Sequence, residues 1–121
     1  IKLLAIGLSK EYADKFLDRE KPLYGYGKPG VYENLWARKY METSKERGFE
    51  ILGYDSGSFH SFICNGLEND YRDRLNIRLN GNGLIELYEE AVRASEYTMR
   101  NDVDAEPVQW MPWIIYEYIL R

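Results

Sequence analysis

The stretch from Ser58 to Leu75, SFHSFICNGLENDYRDRL, constrains the fold of this chain more than any other. Phe59, Ile63, Leu67, Tyr71 and Leu75 recur at i+4 spacing, and Phe62 widens the stripe. At about 100° per residue, such a repeat keeps the apolar side chains on one slowly drifting face. The spacing predicts one helix over the whole stretch, with Ser58 as N-cap, because its hydroxyl can accept from a free amide of the first turn. The same segment holds the only histidine, His60, and the only cysteine, Cys64. The expected central core element and the rarest chemical groups therefore coincide.

The rest of the chain is read around that helix. Lys2 to Leu8 is an apolar run ended by Gly7 and Ser9, hence a strand. Ser9 is placed to cap a short helix over Lys10 to Leu17, with Tyr12, Ala13, Phe16 and Leu17 inward and Pro22 beyond its end. A second helix is expected from about Val31 to Arg47, with Gly48 just past its end. Phe49 to Tyr54 reads as a second strand, followed by a turn at Asp55-Ser56-Gly57. After Leu75, Asn80 to Gly83 (NGNG) is a turn signal that folds Leu84-Ile85 back onto Ile77 to Leu79. Glu86 to about Met99 is a helix whose inner face carries Leu87, Tyr88, Ala91, Val92 and Ser95. Trp113 to Leu120, WIIYEYIL, is apolar almost throughout and so is expected to be an interior strand. The expected fold class is α+β. It is a single compact domain over residues 1–121, a small three- to four-stranded mixed sheet packed with about four helices.

Composition bounds the function classes. At 121 residues and 45% hydrophobic, the chain has enough apolar surface to fold without a metal or a disulfide. A lone cysteine cannot form an internal disulfide, so a reducing, cytoplasmic setting is the default. IKLLAIGL is too short for a signal-peptide core, and no run reaches membrane-spanning length. Net charge is -4 but unevenly spread. Residues 1–48 carry ten Lys/Arg against seven Asp/Glu, a net of +3. Residues 49–121 carry six against thirteen, a net of -7, and contain no lysine. Such asymmetry fits either a solvated surface or a field that steers a charged partner.

Few constellations carry chemistry. Gly25-Tyr26-Gly27-Lys28-Pro29-Gly30 spells G-x-G-x-x-G, but no buried strand leads into it and Pro29 removes an amide donor. No P-loop hydroxyl follows Lys28, so a glycine-rich loop bearing Tyr24 and Tyr26 is the better reading. On a helix, His60 and Cys64 stand at i and i+4, the arrangement of a thiolate with its base, and Glu68 continues the ladder. Beside Ile63 and away from a helix N-terminus, Cys64 reads instead as a packed, inert thiol. His60, Cys64 and Glu68 fall short of the four ligands of a closed zinc site, so neither metal nor cofactor is expected. The carboxylates show no apolar setting that would split a catalytic pair. Lys21, Lys28, Lys39 and Lys45 alternate with acids, and a pI near 5.1 argues against a phosphate-tracking, nucleic-acid-binding surface.

Asp102, Asp104 and Glu106 precede Trp110 and Trp113, and rigid aromatics beside charge are what recognition surfaces use. The expectation is a small cytoplasmic, bacterial-type binding or inhibitor protein, such as an immunity protein occluding a basic partner. Its contact residues would be Tyr24, Tyr26, Asp102, Asp104, Glu106 and Trp110. The alternative is a small hydrolase or transferase using His60, Cys64 and Glu68. No feature sets an oligomeric state.

Overall fold

A computed structural model describes residues 2–15, 44–55 and 58–119. In chain order these form β1 (Lys2–Gly7), α1 (residues 10–15), β2 (Ser44–Asp55), β3 (Ser58–Ser61), α2 (Glu68–Leu75), α3 (Tyr88–Thr98) and β4 (Gln109–Ile119). The strands make one four-stranded sheet in the order β1-β4-β2-β3. Every neighbouring pair is antiparallel, so the sheet is not mixed. β1 and β2 run the same way, but β4 separates them. The class is α+β, with three helices among the described residues. The glycine-rich loop with Tyr24 and Tyr26, and most of the helix expected from Val31, lie outside them.

The largest correction falls on Ser58 to Leu75. Its first four residues are β3, paired with β2 at Asp55↔Ser58, Tyr54↔Phe59, Gly53↔His60 and Leu52↔Ser61. Residues 62–67 are turns, closed by Leu67 N donating to Phe62 O at 3.0 Å, with Gly66 at φ +71°. Only Glu68–Leu75 is α-helix. The i+4 ladder is thus divided: Leu67 and Tyr71 are buried, whereas Phe59 and Ile63 are exposed. At residues 58–61, pairing with β2 outweighs the intrinsic helical periodicity, which alone stabilises so short a helix only marginally. Asn76 ends α2 in the left-handed conformation, which asparagine tolerates, and Ile77 N closes onto Tyr71 O at 2.9 Å.

Residues 44–47 belong to β2, not to the end of a helix. Gly48 is needed for the sheet instead. It sits at φ +130°, after a bulge that begins at Glu46. A Cβ there would lie 2.9 Å from both the Ile85 carbonyl oxygen and Leu84 Cβ. Ile85 bridges both Phe49 and Leu79, so the NGNG turn folds back as its sequence implies. Asn80 fixes it, its Oδ1 accepting from Asn82 N and Leu84 N, its Nδ2 donating to Arg47 O and Glu86 Oε2.

Side chains alternate across a strand, so consecutive residues face opposite ways. Ile51 and Trp110 join a core with Phe62, Leu67, Tyr71, Ile77, Ile85, Ala91, Ala94 and Tyr97. Their neighbours Leu52 and Met111 join a second core with Tyr12 and Trp113. β2 and β4 are therefore covered on both faces, which explains the uninterrupted apolar run in β4. Glu117 is the charged exception on β4, buried and paired with Arg47 Nε at 2.5 Å.

α3 follows its sequence pattern closely, with Ala91, Ala94 and Ser95 buried. Leu87 does not join them, because it is the extended residue before the helix. Three bonds tie α3 to α2. Tyr71 Oη donates to Thr98 Oγ1 (2.5 Å), which donates on to Ala94 O. Tyr97 Oη donates to Asp70, and Arg93 donates to the last carbonyl of α2, Leu75 O.

Candidate functional site

The connection from α3 to β4, residues 99–108, lies across the sheet and is fixed to it by side chains. Gly53 stands between His60 and Trp110 on one row of β3, β2 and β4. A Cβ at Gly53 would collide with Val108 Cγ2, so the missing side chain is what lets the connection lie there. Trp110 Nε1 donates to Glu106 O at 2.9 Å, and His60 Nδ1 lies 2.6 Å from Glu106 Oε2. Asn65, from the turn after β3, accepts from Glu106 N at 3.3 Å and donates to Ser61 O at 3.1 Å. The last turn of α3 and this connection enclose a cleft of about 300 Å³. Met99, Arg100, Val103, Glu106 and Val108 are among its walls.

The expected contact residues divide on this geometry. Asp102, Asp104 and Glu106 are exposed, as a recognition loop requires. Asp102 is clamped by both arms of Arg100, at 2.9 and 2.6 Å, and that bond holds its carboxyl below the usual range. Glu106 is engaged by His60, while Asp104 makes no ion pair among the described residues. Trp110 is only 2% exposed and belongs to the main core, so it is not a surface anchor in the free protein. Tyr24 and Tyr26 lie outside the described residues.

His60, Cys64 and Glu68 share no helix. His60 is on β3, Cys64 is exposed in the following turn, and Glu68 opens α2. The expected packed thiol is thus a solvent-facing one, because residues 62–67 are turn rather than helix. The carboxylate that reaches the imidazole is Glu106, 46 positions away in sequence, where no local pattern points to it. Among the described residues no three His, Cys, Asp or Glu side chains are grouped to hold a metal ion.

The outer face of α3 gives the clearest electrostatic feature. Glu89, Arg93 and Glu96 fall on one stripe at helical spacing, with Glu90 alongside and Glu86 just before the helix. Arg93 is turned to the end of α2, so it does not neutralise Glu89 as an i+4 partner would. Glu89, Glu90 and Glu96 make no ion pair among the described residues. Two large apolar side chains stand exposed at the two ends of α3, Leu87 at 53% and Met99 at 46%. Both were missed in the sequence, Leu87 because it fits the inner helical repeat and Met99 because it ends the helix. No described helix is long and apolar enough to cross a membrane. Comparison with family models, curated proteins and solved structures finds no match to this chain.

Proposed function

We propose that this domain works by binding a protein with a basic surface, as an inhibitor or immunity-type protein in the cytoplasm. Its contact face is the outer side of α3 and the connection that follows. The observation that carries this reading is the diversion of Arg93 to Leu75 O, which leaves the α3 carboxylates uncompensated on their own helix. Unpaired charge of one sign steers an oppositely charged partner and raises its association rate. Leu87 and Met99, in place of Trp110, supply the apolar contact that charge alone lacks.

The test is capture from a lysate of the source cell on immobilised wild type and on a Glu89→Lys, Glu96→Lys, Asp104→Lys variant. A basic protein retained by the wild type, released by salt and lost on the folded variant is the expected result. Equal capture by both, or a partner indifferent to salt, removes this face from the reading.

A further inference from the structure

We propose that Asn82 is a site of spontaneous deamidation, and that the fold ranks the three Asn-Gly dipeptides of this chain as Asn82, then Asn65, then Asn80. Asn65-Gly66, Asn80-Gly81 and Asn82-Gly83 are chemically identical pairs in one molecule. In each, the glycine nitrogen gives up its proton to solvent and attacks the side-chain carbonyl carbon of the asparagine. A C–N bond forms, ammonia leaves with a proton from water, and a five-membered imide results. Water then opens the imide at either carbonyl, leaving aspartate or isoaspartate. Glycine favours the step because no side chain shields its nitrogen or restricts the backbone.

The side chain must be free to rotate onto that nitrogen, and here the three sites differ. Asn82 is exposed and its side chain makes no hydrogen bond among the described residues. The Asn65 side chain makes two, donating to Ser61 O and accepting from Glu106 N. The Asn80 side chain makes four, to Arg47 O, Glu86 Oε2, Asn82 N and Leu84 N. The attacking amides partly offset one another. Gly83 N donates to Asn80 O and Gly66 N to Ile63 O, both at 3.0 Å. Gly81 N makes no such bond among the described residues, but one turn bond weighs less than four side-chain bonds. Four bonds of ordinary net strength slow the reactive rotamer by roughly a hundredfold or more, and the Gly83 bond returns part of that, leaving at least about tenfold between Asn82 and Asn80. Each event adds one negative charge to the half of the chain that is already acidic.

The experiment incubates the intact protein at mildly alkaline pH, native and in urea, and maps its tryptic peptides by mass spectrometry. Leu79 to Arg93 holds Asn80 and Asn82, and Gly48 to Arg72 holds Asn65. Fragment ions locate the modified position. Native protein is expected to react at Asn82 first, Asn65 next and Asn80 last. In urea the three rates are expected to converge, and Asn82→Gln should remove the first product without unfolding the domain. Equal native rates, faster reaction at Asn80, or an unreacted native Asn82 when the urea sample has converted would each overturn the proposal.

Discussion

β4 and β3 lie on either side of β2 and solve opposite problems. β4 has a strand on each edge and a core on each face, so it carries Trp110 to Ile115 buried in succession. Its one buried carboxylate, Glu117, is held by Arg47. β3 is a four-residue edge strand, Ser-Phe-His-Ser, with no fully buried residue. Short, polar edges resist further pairing. A group that keeps its water does not have to be matched by a partner. The histidine, and the cysteine just after it, are therefore found where burial is incomplete.

Replacing a large ring on each strand should break the symmetry most sharply. Trp113→Ala empties a position that is 1% exposed, and its cost in urea melts should be about 3–5 kcal/mol. Phe59 leans edge-on against Trp113 at 5.4 Å but is half exposed, so Phe59→Ala should cost only about 1 kcal/mol. Similar costs for the two would mean that β3 is as integral as β4. Ion pairs give the next contrast. Arg47→Met removes one partner of the largely buried Glu117 carboxylate and should cost about 2 kcal/mol, discounted for the partial exposure of Arg47. His60→Gln, on the exposed pair with Glu106, should stay below about 1 kcal/mol by the same melts.

Burial pushes the Tyr71 phenol well above the ordinary tyrosine range. A group that binds its proton more tightly when folded leaves stability full below its unfolded value, near pH 10, and reduces it as pH rises further. Tyr71→Phe should flatten part of that alkaline fall and cost about 1 kcal/mol at neutral pH through the bond lost to Thr98. A fall that is unchanged in the variant would assign it to the other tyrosines. The smallest effect belongs to Cys64. A thiol reagent should label it in the folded protein nearly as fast as in denaturant, because it is exposed. Strong protection would place the turn after β3 inside the fold.

These contrasts follow what sequence could and could not carry. β4 and α3 were legible because their patterns are long and internally consistent, a run covered on both faces and a 3.6-residue stripe. β3 was not, because Phe59 and His60 owe their conformation to Tyr54 and Gly53 across a hairpin, and the local repeat implies a helix. Gly48 reads equally well as a helix terminator and as a bulge glycine until Leu84 and Ile85 are placed beside it. The acidic character around Asp102 was visible in composition. The bond from Glu106 to His60, and the diversion of Arg93 to Leu75 O, depend on how distant segments meet.

The strand order has a consequence for synthesis. β1 and β2 never touch as neighbours; β4, the last described strand, lies between them. A ribosome makes β1, β2 and β3 well before the strand that unites them. Until residues 109–119 emerge, the β2–β3 hairpin is the only pairing open to the described strands, and β1 lacks the strand it pairs with among them. Long-range pairing of this kind folds slowly, and the waiting intermediate displays strand edges that other chains can capture. Nascent chains stalled before Gln109 should therefore bind chaperones, and release should follow emergence of β4 rather than completion of either core.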